Sequence, residues 1–96
     1  MVFLFMRQKV IDYDRWKATF DANLLWRTQS GMRSYRIYRD VDDASIVTTI
    51  QEWDSFEVAQ LHAQSPELRR KLQDAGVIGE PMIYIMNELA AEKTNF

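Results

Sequence analysis

The stretch EWDSFEVAQLHAQSPELRRKL, Glu52 to Leu72, contains His62, the only histidine in the chain. An imidazole titrates closer to neutrality than other side chains, so it can act as a base, bind a ligand or hold a metal. One histidine and no cysteine disfavour a structural zinc site. The lack of cysteine also excludes disulfides and thiolate nucleophiles. Other chemical signatures are missing: there is no Gly-rich phosphate loop, no GxSxG and no HExxH. The run DVDD, Asp40 to Asp43, lacks the Gly and the distant Glu of a calcium loop and reads as an acidic turn.

The surroundings of His62 follow from helical spacing. With Phe56 at zero and about 100° per residue, Glu57, Gln60 and Gln64 form a polar face near 40–100°. His62 falls at about 240°, on the arc with Val58, Ala59, Leu61 and Ala63, and so faces the sheet. There it is a core group with one ring nitrogen satisfied by a carbonyl or hydroxyl, a wall of a ligand pocket, or an interface residue. An earlier helix has a similar feature. With Tyr13 at zero, the stripe of Trp16, Phe20 and Leu24 centres near 340°, while Arg27 falls at about 320° and Asn23 at about 280°. Polar groups in an aromatic stripe must find partners. Arg27 can snorkel to water and Asn23 can bond locally. Alternatively, Asn23, Arg27 and His62 converge on a cavity walled by Trp16, Phe20 and a strand tyrosine, Tyr84. Tyr35 and Tyr38 also lie on a strand, but by parity they face opposite sides. An apolar cavity with a few convergent polar groups is the usual form of a small-molecule site.

These residues need elements to position them. VFLFMRQKV, Val2 to Val10, reads as a strand, being β-branched and aromatic and too short for a helix. Asp12 is a good N-cap and Gly31 a good C-terminal stop for one amphipathic helix between them. Met32–Arg39 and Ser45–Trp53 read as a hairpin across the acidic turn. Asp54, with Glu57 three residues on, predicts a capping box. Ser65 and Pro66 restart the helix, which ends at Gly76. VIGEP reads as a loop, Met82–Glu88 as the last strand, and residues 89–96 as a mobile tail.

The order βαββαβ is a ferredoxin-like α+β arrangement, an antiparallel sheet with helices on one face and the usual strand order 4-1-3-2. It spans one domain, residues 1–96. VFLFM and MIYIM are apolar on both faces, so something must cover the face away from the helices. A second copy of the chain is the economical cover, which predicts a homodimer joined through its sheets.

Bulk composition narrows the function classes. The 96 residues are 47% hydrophobic and 27% charged, as in folded globular chains. Three Trp in so short a chain require a core, a pocket or an interface. The net charge of −2 and the absence of a long basic run disfavour nucleic acid. The first residues are apolar only briefly and have no basic region before them, so neither a signal peptide nor a membrane span is expected, and the cytoplasm is the expected location.

Taken with RIYRDVDDASIVTTI and VIDYDRWKATFDAN, the opening stretch resembles the antibiotic biosynthesis monooxygenase-like family of dimeric α+β barrels. The similarity runs from about Val10 to Tyr84, most specifically through Trp53, Asp54, Ser55, His62, Ser65 and Pro66. It implies protomers paired through their sheets, and a homodimer with a small aromatic or polyketide-like ligand. It also implies cofactor-independent oxygenation, with no cofactor, His62 as base, and Asn23 and Arg27 as anion-binding groups. Some relatives degrade haem. In those, an Asn stands where this chain has Arg7 and Gln8, a Trp where it has His62, and an iron-ligating His near Leu72. Leucine cannot ligate iron, so the resemblance does not extend to haem degradation. The alternative reading is a ligand-binding or structural homodimer without turnover.

Overall fold

A computed structural model describes residues 1–94. The elements in chain order are β1 (Val2–Val10), α1 (Tyr13–Ala22), α2 (Leu24–Ser30), β2 (Met32–Arg39), β3 (Ile46–Trp53), α3 (Phe56–Gln64), α4 (Pro66–Asp74) and β4 (Val77–Asn87). All strand pairs are antiparallel, in the order β2-β3-β1-β4. This is the ferredoxin-like α+β architecture and strand order that the sequence predicts. Among the described residues, no helix is long and apolar enough to cross a membrane.

Strand alternation assigns the faces. On β1, Leu4, Met6, Gln8 and Val10 are buried under the helices, and on β3 so are Val47, Thr49, Gln51 and Trp53. The apolar core has two parts. Leu4, Met6, Met32, Trp53, Ala59, Ala63 and Leu68 form one cluster, and Val10, Trp16, Phe20, Val47 and Ala75 the other. Buried Gln8, Thr49 and Gln51 occupy the strand positions between them. On the opposite face Phe5 packs on Tyr84 with ring centroids 5.9 Å apart, and Tyr38, Met82 and Met86 stand exposed.

Three boundaries differ from the sequence expectation, each for a physical reason. The first helix is broken at Asn23, whose φ of −103° and ψ of 14° leave the helical region. Its Nδ2 donates to the Thr19 carbonyl at 2.9 Å, a local bond of the kind that competes with helix continuation. The cap of α3 is Ser55, whose hydroxyl accepts from the Val58 N–H, while the Asp54 carboxylate is held by Arg33 of β2. The last strand begins at Val77 and absorbs VIGEP through a bulge: Arg7 pairs with Met82, but Lys9 pairs with Ile78. Gly79 at φ 71° and Pro81 fit there because β4 is an edge strand with a local irregularity.

Other signals held. Asp12 accepts from the Arg15 N–H, and Ser65 caps α4 with Pro66 at its first turn. Gly31 closes α2 at φ 124°, and its carbonyl accepts from the Asp54 N–H. Residues 88–94 follow β4 without helix or strand; the mobile tail expected at 89–96 falls, for 95 and 96, outside the described residues.

Candidate functional site

Five elements enclose a small cavity between the helices and the sheet. From β1 and β3 come Met6, Gln8, Thr49 and Gln51; from α1 come Trp16, Thr19 and Phe20. Asn23 contributes from the break, Arg27 from α2, and Leu68, Lys71 and Leu72 from α4. The cavity measures about 20 Å³, room for one water, within a cleft whose total open space is about 370 Å³.

Aromatic rings form one wall. Trp16 and Phe20 stack with centroids 5.1 Å apart, and Tyr35 meets the edge of Phe20 at 5.0 Å. Amides line the floor. Gln8 Oε1 accepts from Trp16 Nε1 and Gln51 Oε1 from Trp53 Nε1, both at 3.1 Å. Gln51 Nε2 donates to Thr49 Oγ1. These bonds satisfy the buried indoles and fix the wall in one orientation.

Two cations reach the same space. Arg27 is 7% exposed, with its guanidinium carbon 3.8 Å from the centre of the Phe20 ring and Nη1 donating to the Phe20 carbonyl at 2.7 Å. Burial pushes its pKa down to about 10. Lys71 Nζ donates to Asn23 Oδ1 at 2.7 Å and lies 4.7 Å from the centre of the Trp26 ring. Among the described residues, none of those lining the cavity is an acid. The site therefore has positive potential, aromatic walls and neutral hydrogen-bonding groups. That arrangement can hold and stabilise an aromatic anion.

His62 is inward, as its helical angle predicts, and 4% exposed. It does not line this cavity. Its ring lies between Trp26 and Trp53, with centroids 5.0 and 4.4 Å away. Neither ring nitrogen has a hydrogen-bond partner among the described residues. Burial, with a smaller contribution from the Arg27 charge, lowers its pKa to about 4. The imidazole is thus neutral at pH 7 and a weak base. It borders a separate open groove with Trp26, Ser30, Leu61, Ser65 and Glu67.

The remaining expectations divide. Trp16, Phe20, Asn23 and Arg27 are brought together in one cavity. Tyr84 is not: even positions on β4 face away from the helices, and it stands 55% exposed on the outer sheet face. Tyr35 and Tyr38 split between faces as parity requires. Gln8, Thr49, Gln51 and Lys71 belong to the site but were not foreseen. A signal existed for each. The strand polar residues share parity with Leu4, Met6, Val47 and Trp53, and Lys71 lies three residues after Leu68 on the inward face of α4. Leu72 contributes an apolar wall.

The fold has many solved counterparts. One is an antibiotic biosynthesis monooxygenase described as putative, from Bordetella bronchiseptica: TM-score 0.76, 9% identity, covering 93% of this chain and 97% of the other. SnoaB, a cofactor-independent oxygenase from Streptomyces nogalater, matches with TM-score 0.70 and 13% identity over 97% and 94% of the two chains. A Caulobacter crescentus protein with the same family description matches with TM-score 0.69 and 13% identity over 93% and 90%. At such identities these likenesses establish the fold. Among curated proteins, none is significantly similar in sequence. Residues 13–72, from the start of α1 to the cavity wall on α4, match the antibiotic biosynthesis monooxygenase family, and the chain belongs to it.

Proposed function

We propose that the protein is a cofactor-independent monooxygenase that binds a small phenol or quinol in the cleft between α1, α2, α4 and the sheet. The observation that carries this reading is the buried Arg27 guanidinium facing an aromatic cavity whose lining holds no carboxylate. A phenol bound there ionises more readily, because its anion gains the interaction that Arg27 lacks. The ionised ring then supplies the electrons. One oxygen atom of O2 bonds to a ring carbon, which loses its hydrogen, and the other leaves as water, so that a phenol becomes a quinone. Trp16 and Phe20 hold the ring, and Gln8 Nε2 orients its oxygen. His62, confined between two indoles, supports the wall and takes no proton from the substrate.

The test is oxygen uptake with a panel of naphthols, quinols and polyphenols. Wild type is expected to consume O2 with at least one of them. Arg27→Met should lose about tenfold or more of that rate, the scale of one stabilising donor. His62→Phe should retain most of it. Uptake equal to buffer across the panel would remove the oxygenase reading for those substrates.

One observation favours the alternative, a ligand-binding or structural homodimer without turnover: the closed cavity holds no more than a water. In either reading the protein works as a homodimer. Support comes from the outer sheet face, where Phe5, Tyr38, Met82, Tyr84 and Met86 form an apolar surface with no helix on it.

A further inference from the structure

We infer that the ligand is an aromatic hydroxy acid, and that Lys71 recognises its carboxylate at the mouth of the cleft. The inference rests on the proposal that this cleft binds an aromatic molecule. It starts from charge. The chain has 14 acidic and 12 basic side chains, yet the residues lining the cavity include two cations and no acid. The two cations lie at different depths. Arg27 is almost fully buried, whereas the Lys71 side chain is 23% exposed and marks the rim. A ligand that satisfies both has an ionisable oxygen at its inner end and a permanent charge at its outer end.

The present partner of Lys71 is a neutral amide oxygen, Asn23 Oδ1, at 2.7 Å. Glu67 stands 3.8 Å away, one turn earlier on the same helix and half exposed, and such a pair binds weakly. Trp26 holds the ammonium against its face. The ammonium is thus pre-positioned and carries a partner that a carboxylate can replace with a stronger, charge-assisted bond. The exchange also opens the site. The Lys71–Asn23 bond ties α4 to the break between α1 and α2, the two sides of the cleft. A neutral aromatic must break that tie without replacing it. An acid replaces it as it enters.

The test is calorimetric titration of wild type, Lys71→Met and Lys71→Arg with 6-hydroxy-2-naphthoate and with its methyl ester. The two probes share the ring and the phenol and differ at the far end, a carboxylate in one and a neutral methyl ester in the other. Wild type is expected to bind the acid about tenfold or more tightly than the ester. Lys71→Met should abolish that preference by weakening the acid about tenfold while the ester binds no more weakly than to wild type, and Lys71→Arg should keep most of it. Equal binding of acid and ester by wild type overturns the inference, as does a preference that persists in Lys71→Met; both leave the cleft as an aromatic site. Failure of wild type to bind either probe at millimolar concentration overturns the inference and the ligand-site reading together. The wild-type comparison stands even if a variant fails to fold.

Discussion

A buried imidazole with no hydrogen bond at either nitrogen costs the fold free energy, and its size depends on pH. The ordinary pKa of 6.5 falls to about 4 in the folded protein. Above pH 6.5 His62 is neutral in both states and adds no pH dependence. Between 6.5 and 4 the unfolded chain takes up a proton that the folded chain refuses, so stability falls as pH falls. The full difference, reached near pH 4, is about 3 kcal/mol. Urea midpoints measured from pH 7.5 to 4.5 should decline in wild type and decline much less in His62→Phe. Matching slopes would mean that His62 is not the group responsible. Carboxylates held low by partners, such as Asp54 beside Arg33, add their own loss only at more acid pH. Arg27 behaves differently. It is a buried charge with no acidic partner, held by the Phe20 carbonyl and ring, so Arg27→Met should fold with a stability within about 1–2 kcal/mol of wild type. A loss of oxygen uptake in that variant therefore reports function, not unfolding. Helical angles were enough to place Trp16, Phe20, Asn23 and Arg27 together and to bury His62. They could not identify what surrounds His62, because Trp26 reaches it from a second helix that begins after the break.

At the scale of elements, one glycine joins two parts of the fold. Gly31 takes φ 124°, and a Cβ there would stand 2.9 Å from Val58 Cγ2 and 3.4 Å from Trp53 Cε3. Gly31→Ala should cost about 1–3 kcal/mol, read as a lowered thermal midpoint. Adding Val58→Ala should relieve the steric part and leave the backbone part, a coupling that a double-mutant cycle measures. Gly31, Asp12, Ser65 and Pro66 were legible because each acts through its own backbone or the next turn. The break at Asn23 was not. Apolar spacing runs on from Phe20 to Leu24, and nothing local shows that Lys71, 48 residues later, bonds Asn23. The cap at Ser55 was hidden for the same kind of reason: Asp54 is equally suited to cap, and only its pairing with Arg33, on another strand, decides between them. The early start of β4 was masked by Gly79 and Pro81, which read as a loop until the bulge against β1 accommodates them.

The whole molecule has one finished sheet face and one apolar face. The latter was legible from the two-faced strands VFLFM and MIYIM, because period-two alternation requires a cover on each side. Sedimentation of the wild-type protein should give a mass of twice 11.4 kDa. Tyr84→Glu combined with Met82→Glu, both exposed on the outer face, should give monomers that keep their circular-dichroism spectrum. Monomeric wild type would remove the dimer from the proposal. Substrate chemistry was the least legible property, since the cavity is assembled from five elements and its charge balance emerges only when they meet. The bulge in β4 has a last consequence for how copies meet. An open four-stranded sheet has two rims that could recruit further strands into a fibril. On one rim Pro81 lacks an N–H and the irregular register bends the backbone, while the other carries Arg36 and Arg39. Growth along the hydrogen-bonding direction is therefore blocked by backbone shape on one side and by repulsion on the other. Association through the flat face alone closes on itself, so concentrated protein should stay free of amyloid-type aggregates.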